Sequence, residues 1–96
     1  MTALAPHLTS FLHEHLPRDR DVSPHTVATY AHCFALLIRH ATRQLDRRPS
    51  DLEIEDLSPD LVLGFLDQIE TDRGNSATTR NARLIAIRTF FRYIEY

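Results

Sequence analysis

The C-terminal segment reads Ser76-Ala-Thr-Thr-Arg-Asn-Ala-Arg-Leu-Ile-Ala-Ile-Arg-Thr-Phe-Phe-Arg-Tyr-Ile-Glu-Tyr96 and combines a helix start, an apolar stripe and four arginines. Ser76 is a suitable N-cap, because its hydroxyl can accept a hydrogen bond from a backbone N–H of the first turn. Before it, Gly74 and Asn75 suit a loop with positive φ. Apolar side chains then recur at the steps of three and four that mark a buried helical face: Leu84, Ile87, Phe91 and Ile94, with Phe90 beside them. The pattern predicts a core helix over 77–95.

An amphipathic helix is also predicted near the start of the chain, over 4–16. Its apolar stripe has helical spacing and consists of Leu8, Phe11 and Leu12, completed by Leu16 or Leu4. Pro17 should end this helix, because a proline ring clashes with the carbonyl four residues earlier and offers no N–H.

Two Ser-Pro pairs, at 23–24 and 58–59, are typical helix starts. The serine caps the helix, and proline in the first turn needs no hydrogen-bond partner for its nitrogen. They predict helices over 24–45 and 59–71. Together with the first and last helices, and without a strand pattern, they make 1–96 a single all-α domain, a compact four-helix bundle.

The helix over 24–45 has two different faces. The apolar face is predicted to be buried and comprises Val27, Tyr30, Ala31, Phe34, Leu37, Ile38, Ala41 and Leu45. The opposite face is a polar ridge, interrupted by Leu36 and made of His25, Thr29, His32, Arg39 and Arg43. Such a ridge is either a solvated surface or a face that binds nucleic acid, and both interpretations stay open.

Charge is segregated along the chain, although the net charge is only −2 and by itself argues weakly against a nucleic-acid partner. Residues 50–72 contain eight acids and no base, whereas residues 73–96 contain five arginines and one acid. The acids predict a solvated or phosphate-repelling surface. Within the acidic connector at 51–57, three apolar residues are expected to hold the loop to the core: Leu52, Ile54 and Leu57.

No arrangement of residues indicates an enzyme. His13 and His15 point to different faces of a helix, so they should not share a metal ion. Cys33 lies at the edge of a buried face without a nearby base, which favours a core residue over a nucleophile. With only two glycines the chain has no glycine-rich phosphate loop. We therefore expect no catalytic residue, no metal site and no cofactor.

The location of the chain is predicted from what its sequence does not contain. It has no apolar run near the roughly 18 residues that span a bilayer, and no secretory leader. A single cysteine cannot form an internal disulfide. These features predict no membrane partner and a cytoplasmic protein.

Three motifs, in order and with correct spacing, resemble the N-terminal domain of tyrosine recombinases, the phage integrase family. Ser23-Pro-His-Thr26-Val-Ala-Thr-Tyr30 resembles the Ser-x-x-Thr-x-x-x-Tyr start of that domain's second helix. Asp56-Leu57 with the acidic helix through Phe65-Leu66, and the run from Thr79 to Ile94, are similar to its last two helices. The chain departs from the pattern at Ala31-His32-Cys33, where relatives often carry basic residues.

The resemblance implies a SAM-like core-binding domain that forms half of a clamp around double-stranded DNA. The catalytic arginines, histidines and tyrosine of that family belong to a C-terminal domain absent from this chain, so Tyr30, Tyr93 and Tyr96 are not nucleophiles. It implies a role in DNA integration, recombination or transposition. We expect a monomer in isolation and self-association of the full-length recombinase on DNA.

For DNA contacts the sequence ranks Arg88 and Arg92 first, Arg80 and Arg83 next, and the polar ridge last, because arginine binds phosphate in a bidentate manner. Arg88 could instead pair with an acid of the third helix, Asp67 or Glu70. The alternative function is a helical protein–protein interaction module, for which an exposed apolar patch is expected at Leu36, Ile85 and Tyr96.

Overall fold

The computed structural model describes residues 1–74 and 76–95, which form a four-helix bundle in agreement with the predicted all-α fold. Asn75 and Tyr96 lie outside the described residues, and so do the predictions made for them. The helical elements are α1 (Leu4–Ser10), which continues as a π-helical segment (Phe11–Asp19), α2 (Pro24–Leu45), α3 (Pro59–Arg73) and α4 (Ala77–Glu95), with short 3₁₀ turns at Pro49–Asp51 and Ile54–Asp56.

The prediction that Pro17 ends the first helix is wrong. The helix passes through Pro17 to Asp19 in the wider π conformation, and the N–H of Arg20 donates to the carbonyl of His15, five residues earlier, at 3.0 Å. In an α-helix the proline ring would clash with the carbonyl of His13. The wider π turn shifts that carbonyl and lets the helix continue.

Serine caps begin the other three helices, as predicted. Each serine hydroxyl accepts a hydrogen bond from the backbone N–H three residues later, in the pairs Ser23–Thr26 (3.2 Å), Ser58–Leu61 (3.2 Å) and Ser76–Thr79 (3.3 Å). Asp46 follows α2 and Gly74 follows α3 as C-caps, both in the left-handed conformation with φ of 51° and 62°. The predicted bounds of α2 and α4 are confirmed, and α3 is two residues longer than predicted.

Three phenylalanines form the centre of the core. Phe11, Phe34 and Phe90 are at most 1% exposed, and their ring centroids lie 5.3–6.0 Å apart in edge-on pairs. Such pairs contribute about 0.5–1.5 kcal/mol each beyond the burial of apolar area. They join the π-helical segment, α2 and α4.

The connector between α2 and α3 is held against the bundle, as predicted. Leu52 and Leu57 are buried, and Ile54 packs against the core. Backbone hydrogen bonds from Leu4 N to Leu52 O (3.0 Å) and from Ile54 N to Thr2 O (2.8 Å) fasten the start of the chain to the connector. The acidic stretch is therefore an ordered layer of the fold.

Two residues of α2 differ from prediction. Leu36, expected on the polar ridge, is buried, because the second half of α3 packs beside it with Phe65 and Ile69. Leu45, expected in the core, is 38% exposed, because it is the last residue of α2.

Candidate nucleic-acid interface

The four arginines of α4 are divided between two faces of the helix. Arg88 and Arg92 are exposed one turn apart, on the side that also carries Ile85, which is 57% exposed. Arg80 and Arg83 are half-buried, because they occupy the first turns on the side that packs into the bundle. The sequence ranked these two pairs in succession, and the structure gives them different surroundings.

Arg80 is held by two carboxylates of α3. Its Nη1 lies 2.7 Å from Asp67 Oδ1 and 2.9 Å from Glu70 Oε2. The hydrogen bonds to Asp67 and Glu70 raise the pKa of Arg80 above its ordinary value. The acids that sequence analysis considered as partners of Arg88 therefore bind Arg80, which fastens α3 to α4.

Arg83 lies against α2. Its carbonyl faces the Cys33 sulfur at 3.9 Å, and its Nη1 is buried without a hydrogen-bond partner among the described residues. Burial raises the pKa of the Cys33 thiol to about 11, so the group stays protonated at neutral pH. The prediction that Cys33 is a core residue is confirmed.

The polar ridge of α2 is exposed over most of its length. His25, Thr29 and His32 are exposed in the first half, and Arg39 and Arg43 in the second, on either side of the buried Leu36. The hydroxyl of Thr29 donates to the carbonyl of His25 at 3.0 Å. Its proton is thus engaged, and its oxygen can only accept a further hydrogen bond.

Most of the acids at 50–72 have partners within the fold. Glu53 and Asp56 form a capping box around the second 3₁₀ turn, and Arg47 lies 3.0 Å from Asp56 Oδ2. Glu55 accepts a hydrogen bond from the backbone N–H of Thr2 at 2.8 Å, which lowers the pKa of Glu55. The remaining ion pairs of this segment are Arg47–Glu53, Arg48–Asp51, Arg80–Asp67 and Arg80–Glu70. These acids therefore have a structural role that sequence analysis did not foresee.

Because these acids pair with particular arginines, other arginines remain free of internal ion pairs in the described chain. Across residues 1–74 and 76–95, the arginines that form ion pairs are Arg47, Arg48 and Arg80. The arginines of the ridge and of the outer face of α4 have no carboxylate within ion-pair distance in that part of the chain. Their guanidinium groups can therefore bind an external anion without first breaking an internal contact.

A groove between the second halves of α2 and α3 was not foreseen. It encloses about 250 Å³ and has Arg39 and Arg43 on one wall and Arg73 on the other. Arg73 lies in the last turn of α3, and its helical spacing of four from Ile69 is the signal that could have placed it there.

The described residues contain neither a metal-binding cluster nor a helix that could span a membrane. Among the described residues, no three histidine, cysteine or carboxylate side chains are close enough to hold a metal ion. His15 instead lies 3.6 Å from Asp19 and against the ring of Tyr93. None of the helices in this part of the chain is long and apolar enough to cross a membrane.

The fold and the site define a small helical module whose chemically distinctive feature is a set of outward-facing arginines. The chain belongs to the family of phage integrase N-terminal SAM-like domains, which it matches over residues 8–95. The resemblance to tyrosine recombinases is thereby confirmed.

Two curated proteins of Sinorhizobium fredii are similar to the chain. "Putative integrase/recombinase y4rD" is 43% identical over 91 residues, covering 95% of this chain and 32% of the relative. "Putative integrase/recombinase y4rC" is 42% identical over 94 residues, covering 98% of this chain and 28% of the relative. The chain thus spans about a third of the length of these relatives. No solved structure matches it significantly.

Proposed function

We propose that this domain binds duplex DNA as the N-terminal half of a clamp in a site-specific tyrosine recombinase or integrase. The observation that carries the proposal is that Arg88 and Arg92 are exposed one turn apart on α4 and have no ion-pair partner in the described chain, whereas Arg80 has two. Membership of the integrase family supports it. Cleavage and strand transfer then belong to another region of the recombinase, and this domain needs no cofactor.

We propose a revised order for these contacts. Arg88 and Arg92 rank first, because they can bind successive phosphates with both guanidinium edges. On the α2 ridge, Arg39 and Arg43 reach phosphates, while Thr29 and His32 can approach base edges. Arg80 and Arg83 rank below them, because Arg80 would have to leave Asp67 and Glu70 before it could bind DNA.

Salt dependence gives the proposal a quantitative form. Each neutralised phosphate contributes about −0.9 to the slope of log K against log salt, so about four to six contacts predict a slope of roughly −3 to −5. The domain alone should therefore bind weakly and as a monomer. In the cell it would act in the cytoplasm, and the full-length recombinase would associate on DNA.

The test is a double charge reversal, Arg88→Glu with Arg92→Glu, measured by fluorescence anisotropy on a mixed-sequence duplex. We expect binding to be lost while helicity and melting stay nearly unchanged, because both side chains are exposed and form no ion pair in the described chain. The matched control reverses Arg18 and Arg20, two exposed arginines at the end of the π-helical segment, and changes the net charge equally. Binding that both variants retain, or that both lose alike, contradicts the assigned face.

The alternative, a protein–protein interaction module, keeps one of its three expected contacts. Leu36 is buried and Tyr96 lies outside the described residues, which leaves Ile85. An Ile85→Ser variant separates the two functions: it adds no charge beside Arg88 and Arg92, so it should leave the salt slope of DNA binding unchanged if Ile85 serves a protein partner.

A further inference from the structure

The groove between α2 and α3 has a polar, basic rim and an apolar floor whose side chains are almost inaccessible to solvent. Its floor is formed by Leu36, Phe65 and Ile69, each less than a tenth exposed. Above the floor, Arg39 and Arg43 follow α2 at a spacing of one turn, and Arg73 faces them from α3. Little apolar surface is therefore offered to a ligand, and the rim determines what the groove can bind.

The sign of the charge in the groove follows from how α3 divides its side chains. Asp67 and Glu70 point to α4, where both bind Arg80. Gln68 and Arg73 point to α2 and line the groove, where Asp72 is the one carboxylate among the lining residues of the described chain. Arg80 thus withdraws two negative charges from the neighbourhood of the groove, and three guanidinium groups outweigh the remaining acid.

The neutral polar groups of the rim are compatible with an anion. Burial lowers the pKa of His40, which lines the groove beside Gln68, so the fold favours the neutral form of this imidazole. The amide of Gln44, on the same wall as Arg43, can donate hydrogen bonds. Guanidinium forks with nearby amide donors form the kind of environment that binds phosphate oxygens.

We infer that the α2–α3 groove is a phosphodiester-binding site, in which Arg73 faces Arg39 and Arg43 across a phosphate group of the DNA backbone. The inference rests on the proposed function, since it names a second place where the same domain holds DNA. It assigns a contact residue, Arg73, on a helix that is otherwise acidic. The contact of Arg80 with Asp67 and Glu70 also keeps the groove positively charged, because it neutralises two carboxylates of α3.

A purely structural role for the same arginines makes a different prediction. Arg43 and Arg73 lie in the last turns of α2 and α3, where a cation is favourable to the helix dipole. If that were their entire role, replacing them would lower the melting temperature and leave DNA binding unchanged. The experiment therefore needs both readouts.

The test compares Arg43→Gln/Arg73→Gln with the matched control Arg18→Gln/Arg20→Gln in the 96-residue chain. Anisotropy on the mixed-sequence duplex is measured over a salt series, together with thermal melting. Losing two phosphate contacts should reduce the steepness of the salt slope by about 1.8. A fourfold rise in salt should then weaken DNA binding by a factor about 12-fold smaller than in the wild type. The control should keep the wild-type slope.

A second variant guards against a loss of structure. Arg43→Lys/Arg73→Lys keeps the charge but not the bidentate fork, so it should retain the wild-type salt slope while binding less tightly. Backbone NMR shifts with inorganic phosphate alone should fall in the groove of the wild type and vanish in the glutamine variant. Shifts that persist there would mean that phosphate binds without these arginines, and would overturn the inference.

The two proposals fail in different ways. A glutamine variant with the wild-type slope overturns the groove and the Arg43 contact of the ridge, but it leaves DNA binding through α4 intact, provided that Arg88→Glu/Arg92→Glu still abolishes binding. A lower melting temperature with an unchanged salt slope would also overturn the groove, and it would mean that the two arginines only stabilise the C-terminal ends of their helices. A wild-type chain that does not bind duplex DNA at all overturns both.

Discussion

Gly64 lies inside α3, and its replacement by alanine should stabilise the domain. Glycine in a helix interior costs about 0.5–1 kcal/mol relative to alanine, because it loses more conformational freedom on folding. An added Cβ would meet the Nε2 atom of His40 at 3.9 Å, which is ordinary van der Waals contact. The gain in helix propensity is therefore not offset by a clash.

The expected gain can be expressed as a melting temperature. For a domain of this size 1 kcal/mol shifts the midpoint by about 4–8 °C, so Gly64→Ala should raise it by about 2–8 °C. Circular dichroism measures the midpoint directly, and urea unfolding gives the free energy with the slope m as a check on two-state behaviour.

The matched control is the other glycine. Gly74 ends α3 with φ of 62°, and an added Cβ would contact nothing within 4 Å. Gly74→Ala should therefore lower stability by about 1–2 kcal/mol through backbone strain alone. A Gly64→Ala variant that melts at or below the wild type would refute the argument, since it would mean that His40 cannot accept the methyl group.

Two further predictions concern the pH dependence of stability and the role of the acidic connector. The pKa of Cys33 is raised from 9.0 to about 11 in the fold, so the native state holds the thiol proton more tightly than the unfolded state does. The contribution of this group to the free energy of unfolding should therefore be fully present below pH 9 and be lost towards pH 11, a fall of about 2–3 kcal/mol. The fall is expected in wild type but not in Cys33→Ala. Urea unfolding across that range decides it, and a pH profile identical in the two proteins would contradict the assignment. Asp56→Ala removes one half of a capping box and a contact with Arg47, so it should cost about 1 kcal/mol in urea unfolding while DNA affinity stays at the wild-type level. A gain in affinity would instead restore the interpretation of these acids as a phosphate-repelling surface.

Local signals in the sequence determined most of the fold. The starts of α2, α3 and α4 were predicted because a serine cap acts within three residues of its own position, and the structure contains those hydrogen bonds. The apolar period of α4 correctly predicted that Ile87 and Phe90 are buried. Such features depend on neighbours along the chain, so no knowledge of the tertiary structure was needed.

Helix α1 shows where a local rule failed. Proline disfavours the α conformation, but the chain continues through Pro17 to Asp19 in the wider π conformation, and the N–H of Arg20 donates to the carbonyl of His15. A rule about one residue assumes α geometry and could not predict that wider turn.

The candidate site depended on tertiary structure to a greater degree. The sequence supplied the arginines and the ridge of α2, because their spacing along a helix is visible in one dimension. It could not show that Arg80 binds Asp67 and Glu70, that Leu36 is covered by α3, or that Arg73 faces Arg39 and Arg43 across a groove. Each of these facts joins two helices, and the angle and register at which helices pack are set by the whole core rather than by either helix alone. Which arginines remain available for DNA was therefore decided by the packing of α3 against its two neighbours.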